Sequence, residues 1–161
     1  MTLADMNDLD RIVALYDEAR NKPMCTWTDN YPLREDAEND IRAQRCFVLR
    51  DEAGVVIAAL SLEEDEVREQ PFVTDKTSRS IEISRVVTAA AVRGKHLSRR
   101  LVEEVLAHLL QEGYQVVRLL VSRQNIPAWN NYLEAGFTPI GECDLYDTHW
   151  VACEKYLAKS D

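Results

Sequence analysis

Four cations surround one glycine in the stretch Ala91-Val92-Arg93-Gly94-Lys95-His96-Leu97-Ser98-Arg99-Arg100. The stretch follows a β-type run and opens a long amphipathic pattern. A strand, a glycine turn and a helix form a layout that binds anions, because N–H groups of the first helical turn lack partners and the helix dipole adds positive potential. Gly94 can adopt a positive φ, and the flanking cations suit a ligand with more than one phosphate. Taken alone, however, the stretch favours a solvated basic turn over a phosphate site.

A second run with chemical potential lies one helix and one strand downstream, from Asn125 to Phe137, and reads NIPAWNNYLEAGF. Asn125 is suited to cap a short helix, and its remaining amide capacity is free for a ligand. Tyr132 follows Trp129 by three residues, so the pattern fits core packing as well as catalysis. Neither role can be chosen from this run alone.

Together the two runs resemble the GNAT family, the Gcn5-related N-acetyltransferases. The family's loop is Q/R-x-x-G-x-G/A at the start of the helix after its fourth strand, and Arg93 fills the first position. Its later signature is an Asn, an Ala and then Tyr-x-x-x-Gly-Phe, which matches Asn125, Ala128, Tyr132, Gly136 and Phe137. The resemblance covers nearly the whole chain and is strongest between Ile81 and Gly141. It departs from the family at His96 and Ser98, where two small residues are expected.

The resemblance implies acetyl-CoA as co-substrate, with no metal. Residues Val86–Thr88 of the fourth strand would supply N–H donors to the oxyanion and pair with the pantetheine arm. The Tyr132 hydroxyl would donate a hydrogen bond to the departing thiolate. The residues assigned to the cofactor are Val86, Val87, Thr88, Arg93, Gly94, Lys95, His96, Leu97, Ser98, Arg99, Asn125 and Tyr132.

His96 replaces a glycine of the family's loop. We place it in the first turn of the helix, where φ is negative and glycine is not required, so the phosphate-binding backbone is predicted to survive. Its imidazole is predicted to be exposed and without a role; the alternative is that it crowds the ligand. The Ser98 hydroxyl could add a donor.

The acceptor amine must lose a proton, and Glu82, on the strand before the loop, is the candidate base, acting directly or through water. A solvated strand position is the alternative, and Ser84 stands nearer the place where many family members carry a carboxylate. No cysteine lies in the motif segments, so transfer is predicted to be direct rather than through an acyl-cysteine.

The predicted function is therefore acetyl-CoA-dependent N-acetyl transfer to a primary amine of a small molecule or peptide. One alternative is a CoA-binding or regulatory module that has kept the fold and lost turnover. Another is a different acyl-CoA-dependent or acyl-carrier-dependent acyltransferase, since Glu82-Ile83-Ser84-Arg85 resembles a segment of the acyl-homoserine-lactone synthases. Those synthases lack the Arg-Gly loop and the Tyr-x-x-x-Gly-Phe signature. The identity of the amine and the preferred acyl chain are not encoded in any motif found.

These motifs need a scaffold, and periodicity with turn signals predicts its elements. Four helices are predicted. The first ends at about Arg20, and the second spans Arg34 to Gln44. The third runs from Leu97 to the stop at Gly113, and the fourth from the Asn125 cap to Gly136. The predicted strands are Cys46 to Arg50, Val55 to Leu62, Ile81 to Thr88, Val116 to Ser122, Phe137 to Cys143 and His149 to Tyr156. The order agrees with the family's α/β (α+β) fold: one domain over residues 1–161, with a mostly antiparallel mixed sheet of six to seven strands and about four helices.

Composition excludes several other classes. The chain has 161 residues, 46% hydrophobic and 29% charged, with a net charge of -9. This charge disfavours nucleic-acid binding. The apolar runs are too short to span a bilayer and no signal peptide is recognised, which predicts a cytoplasmic protein without membrane contact. The four cysteines show no metal-binding spacing.

A homodimer is left open. The substrate is predicted near the segment Met24–Tyr31, with Trp27 and Tyr31 as pocket walls or as simple anchors, and near the acidic run Glu63–Glu66.

Overall fold

A computed structural model describes residues 1–158 and contains seven β-strands and four α-helices. The strands are β1 (Thr2–Leu3), β2 (Cys46–Arg50), β3 (Val56–Glu63), β4 (Ser80–Thr88), β5 (Val116–Val121), β6 (Thr138–Leu145) and β7 (Thr148–Tyr156). The helices are α1 (Leu9–Arg20), α2 (Arg34–Arg42), α3 (Leu97–Gln111) and α4 (Ile126–Glu134). The predicted fold class is confirmed.

The strands form one mixed sheet in the order β1-β2-β3-β4-β5-β7-β6. The pairs β1–β2, β2–β3, β5–β7 and β6–β7 are antiparallel, whereas β4 and β5 are parallel, with Ser80 opposite Val116 and Glu82 opposite Arg118. The β4–β5 connection contains α3, as a parallel crossover requires. The prediction of a mostly antiparallel mixed sheet is confirmed.

The described residues group into two compact units. The first comprises Met1–Leu62 and Arg85–Val102. Its core forms because apolar residues of α1 recur at helical spacing and bury one face against β2, β3 and the end of β4. Ile12 and Leu15 are fully buried there.

The second unit comprises Glu63–Ser84 and the chain from Glu103 onward. Its buried residues include Val105 and Leu109 of α3 and Val117 of β5. The segment between β3 and β4 is partly buried, since its Val67 and Val73 pack against Ala152. That the whole chain is one domain stays a prediction.

Most element boundaries differ from the predicted ones by a few residues. Helix α2 ends two residues early, at Arg42, because Gln44 takes a left-handed φ of 56° and the Arg45 N–H donates to the carbonyl of Asp40. The two-residue strand β1 and three 3-10 turns, Met6–Asp8, Val67–Glu69 and Ala90–Val92, were not predicted. They are too short to show periodicity.

Candidate functional site

In the first unit, the loop between β4 and α3 carries the basic motif. After the 3-10 turn Ala90–Val92, Gly94 adopts a φ of 82° and His96 a φ of 56°. The Arg100 N–H donates to the carbonyl of His96 at 3.0 Å, so His96 is the residue immediately before the first helical turn. The predicted positive φ at Gly94 is confirmed, and the loop does lead into the N-terminus of a long helix.

The prediction that His96 has a negative φ is wrong. The chain makes a second left-handed turn at His96 before α3 begins at Leu97. This conformation costs a residue other than glycine about 1–2 kcal/mol, so the backbone geometry itself accounts for a glycine at the matching position of the family's loop. The predicted exposure of the side chain is confirmed.

Arg93 supplies positive charge within this loop. Among residues 1–158, no hydrogen-bond partner is found for the buried Nε and Nη2 atoms of Arg93. Burial, and next the charge of Arg93, lower the pKa of the Lys22 ammonium, so a second cation lies near the first. Sequence reasoning missed Lys22, because it lies 71 positions before Arg93 in no motif. Buried donors without partners are costly unless an acceptor arrives, which fits an anion at this position.

The strand residues assigned to the acetyl group precede the loop. Val87 and Ala89 are buried in the core of the first unit, while Val86 and Thr88 are half-buried. The Ala89 N–H donates to the carbonyl of Ile57 at 2.8 Å, and the Ala90 N–H donates to Oε2 of Glu18 at 2.9 Å. The backbone leading into the loop is therefore held by both β3 and α1.

In the second unit, Glu82 lies on β4 and is 6% exposed. The alternative of a solvated strand residue is wrong. Burial, followed by the nearby charges of Glu63 and Asp65, raises the pKa of the Glu82 carboxyl to about 8. The Glu66 N–H donates to its Oε2 at 3.1 Å, which orients the carboxyl and lowers its pKa by less than burial and the nearby charges raise it.

The carboxylates near Glu82 are not equivalent. Asp65 accepts a hydrogen bond from the buried guanidinium of Arg118 at 2.6 Å, and Arg118 also pairs with Glu154 at 3.0 Å. Glu66 accepts from the hydroxyl of Tyr146, at the tip of the β6–β7 hairpin. Asp65 is thus paired with a cation, whereas Glu66 has a neutral hydroxyl as donor. The predicted importance of the acidic run Glu63–Glu66 for the substrate stays a prediction.

Asn125 immediately precedes α4, and Tyr132 lies on α4, in the same unit. Asn125 caps this helix, as predicted, because its Oδ1 accepts a hydrogen bond from the Ala128 N–H at 3.3 Å. Tyr132 packs edge-on against Phe137, with ring centroids 6.0 Å apart. It is half-buried rather than a fully buried core residue, and burial raises the pKa of its phenol well above the ordinary value.

The other candidate residues lie in more ordinary places. Trp27 packs edge-on against Tyr16 at 5.5 Å, as an anchoring aromatic would, and the Tyr31 hydroxyl accepts from Arg85 at 2.9 Å. All four cysteines are free thiols. Within residues 1–158, no set of His, Cys, Asp and Glu side chains could hold a metal ion, and no helix of this part of the chain is long and apolar enough to cross a membrane.

A scan of family models matches residues 12–137 to the acetyltransferase (GNAT) family. No curated protein matches the chain significantly. The matched region contains the loop of the first unit and Asn125 and Tyr132 of the second.

Solved structures share the fold. An acetyltransferase of the GNAT family from Streptococcus agalactiae is 21% identical with a TM-score of 0.82, covering 98% of this chain and 94% of its own. The Salmonella typhimurium protein YncA, whose structure contains acetyl-CoA, is 19% identical with a TM-score of 0.77 over 99% and 94% of the two chains. A ribosomal-protein-alanine N-acetyltransferase from Brucella melitensis is 20% identical with a TM-score of 0.75 over 96% and 98%.

Proposed function

Because the chain belongs to the acetyltransferase (GNAT) family, we propose that it transfers the acetyl group of acetyl-CoA directly to a primary amine of a small molecule or peptide. Acetyl-CoA would supply an activated thioester. The roles assigned below to individual residues are part of this proposal.

The observation that carries the proposal is the buried Glu82, whose pKa is raised to about 8. An alkyl amine has a pKa near ~10 and attacks only as the neutral base, so N-acetylation needs a group that accepts a proton near neutral pH. General bases work best when their pKa lies close to the working pH. A module that only binds CoA does not require such a base.

Two side chains of the second unit would handle the proton and the leaving group. Glu82 would take the proton that the amine nitrogen loses as its bond to the acetyl carbon forms. Tyr132 would donate a hydrogen bond to the sulfur, which leaves as a thiolate when the carbon–sulfur bond breaks. The raised pKa of Tyr132 makes complete proton transfer uphill, so a hydrogen bond is the better description.

The first unit would hold the cofactor's phosphates and carbonyl oxygen. Arg93 has buried donors without partners, Gly94 already has the left-handed φ, and Ser98 lies in the first turn of α3. These features fit an anion held by backbone N–H groups and a guanidinium. Backbone N–H groups of the segment Val86–Thr88 would stabilise negative charge on the carbonyl oxygen in the transition state.

The acceptor is proposed to arrive as a cation. The net charge of -9 and the carboxylates Glu63 and Glu66 near Glu82 favour an ammonium over an anionic acceptor. The same carboxylates raise the pKa of Glu82, so its ionised form is a stronger base, and an incoming ammonium would favour that ionised form.

The test incubates the purified chain with acetyl-CoA and a panel of acceptors: an aliphatic diamine, an amino acid, a peptide N-terminus and a peptide lysine. Free thiol is measured over time and the acetylated product is identified by mass. We expect turnover with at least one acceptor and loss of that turnover in Glu82→Gln. Tight CoA binding by calorimetry, with no thiol release from any acceptor, would instead support the CoA-binding module.

A further inference from the structure

Arg85 has a left-handed backbone in the middle of strand β4, with a φ of 48°. A residue other than glycine adopts this conformation at an energetic cost, and such strain persists only where surrounding contacts hold it. The position directly precedes the segment Val86–Thr88, whose backbone is proposed to act on the acetyl group. The contacts that hold residue 85 therefore also set the direction of the backbone of Val86–Thr88.

The side chain of Arg85 is bonded to Asp40 and Tyr31 of the first unit. Its Nε and Nη2 donate to the two carboxylate oxygens of Asp40, each at 2.9 Å, and its Nη1 donates to the Tyr31 hydroxyl at 2.9 Å. The Ser61 hydroxyl donates to Asp40 at 2.7 Å. The two ion-pair side chains are only 6% and 11% exposed.

This arrangement ties the left-handed residue to α2 through Asp40, to β3 through Ser61 and to the α1–α2 connection through Tyr31. A bidentate guanidinium–carboxylate pair fixes orientation as well as distance, and burial protects it from screening by salt. Loss of the carboxylate would leave a buried cation without its main partner, and the chain could relieve this by releasing the left-handed turn.

We propose that Asp40 is a positioning residue: by gripping Arg85 it holds residue 85 in the left-handed conformation and so aims the backbone of Val86–Thr88. This inference rests on the proposed acetyl transfer for its catalytic consequence, but the backbone effect can be measured without turnover. Neither Asp40 nor Arg85 is given a chemical role in the reaction.

The chain contains a matched control in the same unit. Arg50 and Asp8 also form a bidentate ion pair, at 2.7 and 2.8 Å, and Arg50 lies on β2, not next to Val86–Thr88. Asp8→Asn removes the same charge from the same kind of pair. It should lower the thermal midpoint and leave kcat within about twofold of the parent.

The decisive comparison is between two double variants. Asp40→Asn with Arg85→Gly and Asp40→Asn with Arg85→Ala both remove the guanidinium, the carboxylate and the bond to Tyr31. Only glycine accepts a φ of 48° without strain. Amide hydrogen exchange of Val86, Val87 and Thr88, followed by NMR, and kcat with a saturating acceptor are measured for each.

We expect Asp40→Asn alone to speed exchange at these amides by about tenfold or more and to lower kcat by a similar factor, with Asp8→Asn changing neither. The glycine double variant should exchange and turn over several-fold closer to the parent than the alanine double variant. Equal exchange in the two double variants would overturn the inference. If Asp40→Asn does not fold, the single variant Arg85→Lys, which keeps a charge but loses the bidentate pairing, replaces it, and Arg85→Gly and Arg85→Ala alone replace the two double variants.

The two readouts separate this inference from the proposed function. If the parent acetylates no acceptor, the exchange rates alone decide whether Asp40 positions the segment. If the exchange rates differ as expected and kcat does not, the positioning has no catalytic consequence and the inference fails in that part.

Discussion

The two units of this chain handle charge in opposite ways. In the first unit, the loop Arg93–Ser98 gathers positive charge and leaves it partly unpaired, with Arg93 atoms buried without partners and Lys22 close by. In the second, Glu82 is a carboxyl that burial and its acidic neighbours hold in its neutral form up to about pH 8. The first region has donors suited to an anion, whereas the second has a carboxyl that becomes a base only as it ionises.

The difference shows that the two roles depend on different levels of structure. Anion binding by a helix N-terminus depends on local backbone geometry. A glycine followed by a helical pattern predicts that geometry from the sequence. A raised pKa depends on burial and on charges that lie far away in sequence or on other strands. Substitutions in the loop of the first unit should therefore change cofactor binding, and substitutions at Glu82 should change the chemical step. The variants below test this difference.

The largest effect is expected from Glu82→Gln. Removing the base should lower kcat/KM for the amine by about 10²–10⁴ and leave the affinity for CoA unchanged. In the parent, log kcat/KM should rise with pH up to about pH 8, and the variant should lack this rise. An acceptor amine with a pKa well below 7 keeps its own titration out of the measured range.

Glu142→Gln is the control for this change, since Glu142 is an exposed carboxyl of the same unit. It should behave as the parent. A pH profile in Glu82→Gln that matches the parent would show that another group accepts the proton.

Tyr132→Phe should lower kcat by about 10- to 1000-fold, the range of a single catalytic hydrogen bond or proton donor. The ring contact with Phe137 is kept, so the fold and the KM for acetyl-CoA should change little. Thiol release with a saturating acceptor measures the effect. Tyr156→Phe, which removes an exposed hydroxyl that donates to Asp75, should have no effect on kcat; equal rates in both variants would return Tyr132 to a packing role.

The pKa of Glu82 also predicts how stability depends on pH. Its pKa in the folded chain is raised above the value in the unfolded chain, so folding is favoured by its neutral form. The contribution is complete below the unfolded pKa and is lost as pH rises toward 8, by a few kcal/mol in the free energy of unfolding. Urea unfolding between pH 5 and 8 should show this decline in the parent and a flatter profile in Glu82→Gln. Parallel profiles would contradict the raised pKa.

Gly94→Val should weaken CoA binding by about tenfold or more. The added Cβ would meet open space, so the effect comes from the φ of 82°, which a β-branched residue avoids. Gly54→Val is the matched control: Gly54 has the same φ and also faces open space, in the β2–β3 turn. Calorimetry should show weaker binding only for Gly94→Val, while both variants lose stability. Unchanged affinity in Gly94→Val would show that the loop does not bind the phosphates.

The smallest effect is expected from His96→Gly. Relief of a left-handed residue is worth about 1–2 kcal/mol, and the extra freedom of glycine in the unfolded chain returns about 0.5–1 kcal/mol of this. The variant should therefore be up to about 1.5 kcal/mol more stable by thermal or urea unfolding, with CoA affinity unchanged. Gln44→Gly, at a φ of 56° in another part of the unit, should gain a similar amount. A large loss of affinity only at position 96 would make His96 a direct ligand of the phosphates.

Local patterns were sufficient for the scaffold and for part of the site. The helical period, the Asn125 cap and the glycine stops predicted the four α-helices closely, because each signal acts over a few neighbouring residues. The same is true of the left-handed Gly94. The prediction failed at His96, which was placed in the first helical turn. The loop instead makes a second left-handed turn at this residue before the helix begins.

Motif spacing within the chain thus accounts for the family and for the residues that a loop or a cap can present. The environment of Glu82 could not be obtained in this way, since its neighbours come from the end of β3 and the segment after it. The sequence also did not predict the ion pair between Asp40 and Arg85, which are 45 positions apart. The proximity of Lys22 to Arg93 was missed for the same reason. Burial and through-space charge are properties of the folded packing, and only the tertiary structure makes these residues neighbours.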